Sequence, residues 1–199
     1  MADLFKYENE LLDQGYKLIA GMDEAGRGPL AGPVAAACCI PDLTVIFDEI
    51  NDSKKLTPKK RERLFIDITD TSIAQSVVFI DEKTIDEINI LNATKRAMNS
   101  ALWSLLPTPD YLLTDAVKYD FGVPYKAIIH GDALSYSIAA ASILAKVSRD
   151  KLMDEYAEKY PEYGFEKHKG YGTAYHIEML KKYGPCPIHR QTFIKNFFQ

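Results

Sequence analysis

The segment Lys17-Leu18-Ile19-Ala20-Gly21-Met22-Asp23-Glu24-Ala25-Gly26-Arg27-Gly28 decides how the chain is read, because an apolar run there ends in two acids and a glycine-flanked arginine. Lys17 to Asp23 reads as a β-strand closed by Gly26 and Gly28. Pro33 to Ile40 is a second apolar run, and the short link between them predicts an antiparallel hairpin. Side chains alternate across a strand, so Asp23 and Glu24 cannot both reach one ion from regular geometry. The strand is therefore expected to end or twist at this pair, with Glu24 acting through its carbonyl, through water or from the following loop.

Beyond the hairpin, Thr57-Pro58 resembles an N-cap followed by proline at the first helical position, and Leu64, Phe65 and Ile68 support a short helix. Ile73 to Ile80 returns as a strand. Leu91 to Leu106 reads as an amphipathic helix with Ala97, Ala101, Leu102 and Leu105 on one side, stopped by Pro107 and Pro109. Tyr111 to Thr114 and Tyr125 to Ile129 are further strands, and Ser137 to Tyr160 is one long alanine-rich helix. From Pro161 on, glycines and prolines break the tail into a loop, a helix near Thr173 to Tyr183 and an aromatic end. Strands first, then strand alternating with helix, imply an α/β sheet of about five strands with a helical C-terminal lobe. The expected division is a sheet domain over 1–145 and a lobe over 146–199, or one continuous domain.

Three strand ends terminate in acid: Asp23 with Glu24, then Asp115, then Asp132 after His130 and Gly131. In open α/β sheets ligands gather at strand ends, and converging carboxylates repel unless hard cations such as magnesium or manganese neutralise them. Turn or helix-cap aspartates are the plainer reading of Asp115 and Asp132. Other adjacent acid pairs, such as Asp81-Glu82 and Asp86-Glu87, read as solvated surface. Gly26-Arg27-Gly28 lacks the third glycine of a dinucleotide fingerprint, and its open backbone suits donation to a hydroxyl or phosphate as well as an ordinary turn. Lys54-Lys55 and Lys167-His168-Lys169 are small cationic loops, suited to phosphate or simply solvated. Tyr171, between Gly170 and Gly172, either presents its ring to a sugar or plugs the lobe; His189-Arg190 is either a phosphate contact or a cap.

The net charge of −4 excludes a protein that holds nucleic acid by electrostatics alone. Residues 145–199 are the basic part, with 10 Lys+Arg against 7 Asp+Glu. No serine-hydrolase elbow, phosphate-binding loop ending in Gly-Lys-Ser/Thr, or histidine pair at metal-binding helical spacing occurs, and the four histidines are dispersed. Cys38, Cys39 and Cys186 lack metal spacing and fit reduced thiols, the first two as core filler. Without an apolar run near the roughly 20 residues that span a bilayer, the expectation is a cytoplasmic protein with no membrane partner and a monomeric default.

The segments together resemble the ribonuclease HII family, type 2 of ribonuclease H. Gly21 to Val34, Asp52-Ser53-Lys54-Lys55-Leu56, Ile85 to Leu91 with Ala93-Thr94, Ser137 to Lys146, His168 to Thr173 and Gly184 to Phe193 are similar to the family's motifs in the family's order. The resemblance implies a ribonuclease H-like five-stranded mixed sheet flanked by helices, with Asp23, Glu24, Asp115 and Asp132 as catalytic acids holding two divalent cations, Mg2+ or Mn2+, and Asp23 bridging them. It implies an endoribonuclease acting on RNA/DNA hybrids or ribonucleotides embedded in DNA. Gly26, Arg27 and Gly28 match the ribose-sensing loop, Tyr171 the tyrosine near the RNA-to-DNA junction, and Lys54 a further substrate contact. Two positions depart from the common pattern: Ala116 follows Asp115 where many relatives have glycine, and Gly172 stands where proline is frequent.

Overall fold

A computed structural model describes residues 4–50 and 56–198. Along the chain run α1 (Lys6–Asp13), β1 (Ile19–Ala25), β2 (Val34–Ile40), α2 (Pro58–Thr71), β3 (Ala74–Ile80), α3 (Glu82–Ile88), α4 (Ile90–Trp103), β4 (Tyr111–Asp115), β5 (Tyr125–Ile128), α5 (Tyr136–Lys159), α6 (Phe165–His168), α7 (Ala174–Tyr183) and α8 (Gln191–Ile194). The strands form one mixed sheet in the order β3-β2-β1-β4-β5. β1 pairs antiparallel with β2 and β2 with β3, whereas β4 lies parallel to both β1 and β5. The five-stranded sheet, the β1–β2 hairpin and the helical C-terminal part agree with the expectations from sequence.

Helices cover both faces of the sheet, and this is why the central strands read as unbroken apolar runs rather than alternating ones. On one face Ala97, Met98, Ala101 and Leu102 of α4 pack on Ala20, Met22, Ala36 and Cys38. On the other, Ala139, Ala140, Ile143 and Leu144 of α5 pack on Ala37 and Cys39, with Leu64 and Ile68 of α2 beside them. Cys38 and Cys39 are indeed core residues, and burial pushes the Cys39 thiol up to about 12.

The N-cap read at Thr57 is built as expected, and the helix read near Thr173 also begins on a cap. Thr57 caps α2 by accepting from the Lys60 amide at 3.3 Å ahead of Pro58, and Thr173 caps α7 through the His176 amide at 3.2 Å. Four helices lie outside the sequence reading: the four-residue α6 and α8, and the longer α1 and α3. α1 is short and charged, yet its Glu8 is fully buried and accepts from the Ser135 hydroxyl at 2.6 Å and the Ser137 amide at 2.9 Å, closing the N-terminus of α5. α3 begins on the Asp81 cap, and its Asp86, expected to be solvated, accepts from the amides of Gln191 and Thr192. The 145/146 position lies within α5, whose first half packs on the sheet while Met153 joins Tyr163, Phe165, Cys186 and Ile188 in the lobe's core.

Gly21 sets how closely α5 approaches β1: a Cβ there would sit 2.0 Å from the Ser137 carbonyl carbon and oxygen. Those atoms are helix backbone and cannot rotate away. Gly21→Ala is therefore expected to cost about 3 kcal/mol or more, or to prevent folding, read by denaturant unfolding. The opposite sign is expected after β4. Ala116 holds φ +54°, a left-handed conformation that strains a side chain and favours glycine. Ala116→Gly is expected to stabilise the protein by roughly 0.5–1 kcal/mol in the same measurement, the relief being partly offset by glycine's greater freedom when unfolded.

Candidate active site

Three carboxylates meet at one end of the sheet. Met22 of β1 is level with Thr114 of β4, so the next residues, Asp23 and Asp115, lie side by side. Both share the face of Gly21 and Leu113, toward α5. β5 then ends in a left-handed His130 (φ +59°), which turns the chain back so that the Gly131 amide donates to Asp115 Oδ1 at 2.8 Å. Asp132 follows in a single 3-10 turn, 5% exposed. Carboxylate oxygens of Asp23, Asp115 and Asp132 all lie within 4.8 Å of one another. The sequence placed Asp132 at a strand end; the structure moves it into the turn beyond β5, where it still joins the other two.

This crowding is written into the protonation of the site. Burial pushes the Asp23 carboxyl well above its ordinary value, with Glu24 and Asp115 adding repulsion; a hydrogen bond from Ser142 of α5 opposes the shift. An all-oxygen, strongly anionic, partly desolvated donor set suits hard divalent cations rather than soft metals.

Glu24 behaves differently. β1 neither ends nor twists out of register at the acid pair, because Glu24 and Ala25 remain paired with Ala36 and Ala35. Alternation therefore sends Glu24 to the α4 face, as Met22 is, and its carboxylate stands outside the aspartate trio. There Oε1 accepts from Arg27 at 3.1 Å while Oε2 is buried without a hydrogen-bond partner. Burial raises the Glu24 carboxyl, and Arg27 draws it back. Glu24 and Asp115 both line a second cavity on that side, with Arg27, Lys95 and Lys118.

A cavity of about 310 Å³ brings three of the acids together with the glycine-flanked loop. Asp23, Glu24, Asp115, Gly26, Arg27, Gly28 and Tyr171 line it, as do Ser142, Lys146 and Arg149 of α5. Tyr171 is 45% exposed and presents its ring rather than plugging the lobe. Its Cε1 comes within 3.7 Å of where a Cβ on Gly28 would stand. Lys54 lies outside the described residues. Of the 167–169 loop, His168 is buried and Lys169 pairs with Asp154.

Two arginines that the sequence did not single out for this task hold the loop. Arg149 is 1% exposed and donates to the carbonyls of Pro33, Ala31 and Lys169 at 2.9, 3.2 and 3.0 Å. Arg190, fully buried, donates to those of Gly32, Arg27 and Gly26 at 2.9, 2.9 and 2.6 Å. Arg190 is thus neither a phosphate contact nor a surface cap. Burial and the neighbouring Arg149 push Arg190 below the ordinary arginine range. Ser142, Lys146 and Arg149 stand at i, i+4 and i+7, one face of a helix, and that spacing was a signal available in the sequence.

The model of the family described as Ribonuclease HII matches residues 20–198. A ribonuclease HII of Caldicellulosiruptor bescii is 58% identical over 193 residues, covering 96% of this chain and 94% of that protein. One of Chlamydia trachomatis is 54% identical, covering 94% and 87%. The crystal structure of ribonuclease H2 from Pyrococcus horikoshii superposes with a TM-score of 0.75 at 32% identity, over 90% of this chain and 96% of that one. With its acids gathered at the end of a mixed sheet and its match running nearly end to end, this chain belongs to the ribonuclease HII family of nucleases.

Proposed function

We propose that the protein hydrolyses the phosphodiester on the 5′ side of a ribonucleotide, in an RNA/DNA hybrid or singly embedded in duplex DNA, leaving 3′-hydroxyl and 5′-phosphate ends. The observation that carries this reading is the aspartate trio, two of whose members, Asp23 and Asp115, line one cavity with Gly26, Arg27, Gly28 and Tyr171. Asp23, Asp115 and Asp132, with Glu24 from the other side of β1, are the residues that would hold two divalent cations, magnesium or manganese. Such ions supply Lewis acidity to the attacking water and to the leaving oxygen.

The chain's own part is positioning. Arg190 occupies the carbonyls of Gly26 and Arg27. Because a trans peptide points its N–H opposite to its C=O, the amides of Arg27 and Gly28 face away from that guanidinium. Amides so fixed are suited to a ribose 2′-hydroxyl, the group that separates RNA from DNA. Tyr171, which lines the same cavity as Asp23, would stack on the next sugar and so test for a deoxyribose. Lys146, held by Asp150 at 2.7 Å, faces the same cavity and can meet a phosphate.

The test is a labelled duplex carrying one ribonucleotide, incubated with and without magnesium and mapped to nucleotide resolution. A single cut 5′ of the ribonucleotide, absent under chelator and absent from an all-DNA duplex, is expected; equal cutting of the all-DNA duplex would defeat the sugar-sensing role. Asp23→Asn and Asp115→Asn are each expected to lower turnover by about a thousandfold or more while leaving duplex binding largely intact.

A stability measurement is tied to the same acids. Since the Asp23 carboxyl titrates above its unfolded value, its contribution is present at low pH and is lost as the pH rises through that raised value. Metal-free protein should therefore lose stability as the pH rises above the ordinary carboxylate range, and Asp23→Asn should raise its melting temperature and flatten that pH dependence. Added magnesium should raise the wild-type melting temperature more at neutral pH than near pH 5, where protons compete for the site; an equal shift at both would contradict this.

A further inference from the structure

Three of the four histidines, separated in sequence by 8 and 13 residues, come together beneath the loop that carries Tyr171. His176 and His189 are buried, and His168 stacks on His176 with ring centroids 4.5 Å apart. Their hydrogen bonds allow one consistent set of tautomers. The Cys186 amide donates to His189 Nδ1 at 3.0 Å, which leaves the His189 proton on Nε2. His189 Nε2 faces His176 Nε2 at 3.1 Å and donates to it. The His176 proton is then on Nδ1, 2.9 Å from the Tyr171 carbonyl. His168 completes the support: its Nδ1 accepts from the Gly170 amide at 3.3 Å, its Nε2 donates to the Tyr163 carbonyl at 2.9 Å, and its own carbonyl accepts from the Tyr171 amide at 2.9 Å.

We infer that His189 and His176 are positioning residues: they form a neutral imidazole relay that fixes the Tyr171 peptide, and so the ring that tests the sugar beside the scissile ribonucleotide. The inference rests on the sugar-testing role proposed for Tyr171. A metal-binding role for the pair is disfavoured, because among the described residues the acid, histidine and cysteine groups with metal-holding spacing are the three aspartates. A passive packing role does not account for donors and acceptors alternating without conflict from Cys186 to Tyr171. Burial keeps the relay neutral, pushing His176 and His189 down to about 4, with mutual repulsion among the histidines adding to it. The charged neighbours, Glu166 and Lys167, oppose one another at His168.

Why a relay matters here follows from the loop's other ties. Gly170 sits against Ala31, where a Cβ would meet the Ala31 carbonyl oxygen at 2.4 Å, and its own carbonyl accepts from the Leu30 amide at 2.8 Å. Those bonds fix the residue before Tyr171. The His176 bond, with one from the Thr173 amide at 2.9 Å, fixes the Tyr171 carbonyl itself. Losing the imidazole donor leaves that carbonyl to the Thr173 amide alone, which loosens the peptide and lets the ring shift from its place over Gly28.

The test compares kcat/KM on a duplex with one embedded ribonucleotide, where a deoxyribose follows, and on a long hybrid, where a ribose follows. Asparagine can place a donor near the position of histidine Nδ1, and glutamine near Nε2. His176→Gln and His189→Asn are expected to lower the ratio of the two activities by about five- to tenfold, the worth of one buried hydrogen bond, whereas His176→Asn should keep it within about twofold. Joining His189→Asn to Tyr171→Ala should lower the ratio no further than Tyr171→Ala alone. If Tyr171→Ala leaves the ratio unchanged, the sugar-testing role fails and the relay with it. If Tyr171→Ala lowers it but the histidine variants, folded by melting and fully active on the long hybrid, do not, the relay alone is overturned. Should the variants not fold, 15N spectra of the wild-type rings decide: neutral His189 protonated on Nε2 and neutral His176 protonated on Nδ1 are expected at about pH 6, and any other state overturns the relay.

Discussion

The close seating of α5 on β1 is the constraint from which the rest of the molecule follows. Gly21 removes the one side chain that would hold the two backbones apart, and Glu8 of α1 accepts from the first turn of α5 to fix it lengthwise. With the helix set at that height, one of its faces serves three different tasks in order. Ser142 reaches Asp23, Lys146 enters the cavity, and Arg149 reaches the loop carbonyls. A shift of α5 by one residue would turn all three away, so the site is only as well placed as this helix–strand contact.

The same contact makes the acid cluster tolerable. Like charges brought within 4.8 Å in a partly dry setting oppose folding, and the molecule answers with fixed donors: Ser142 to Asp23, the Gly131 amide to Asp115 and Arg27 to Glu24. The Ser142 and Gly131 bonds orient the aspartates without neutralising them, whereas Arg27 places a positive charge beside Glu24. Charge left over in this way is what a cation site needs, and it is a cost to the metal-free fold that a purely structural cluster would not keep.

Much of the sheet could be read in the sequence because its central strands are buried on both faces and its long helices carry ordinary caps, as at Thr57 and Thr173. What escaped reading depends on tertiary partners. α1 has little apolar surface of its own and is defined by Glu8 meeting α5; α3 hides behind acid pairs, one of which, through Asp86, ties down Gln191 and Thr192. Among the site residues, Asp23 and Asp115 were legible as strand-end acids. The placement of Glu24 on the opposite face follows from alternation, once β1 is known to stay in register through Ala25. The clustering of His168, His176 and His189 had no such signal, because no helical or strand period joins them and only the folded lobe sets them side by side.

Arg149 and Arg190 show how the loops before and after the acids are made into one body. A guanidinium without a buried carboxylate partner is costly, and here the cost is met by six backbone carbonyls from the 26–33 loop and Lys169. Such carbonyls are the groups a glycine-rich loop leaves unsatisfied when it forms neither helix nor ladder. The pairing therefore solves two burial problems at once. It also ties Lys169, next to the Tyr171 loop, to the same arginine that holds Ala31 and Pro33. In the proposed mechanism the test of the ribonucleotide and the test of its neighbour would then be made by a single rigid surface, whose spacing is set before any substrate arrives.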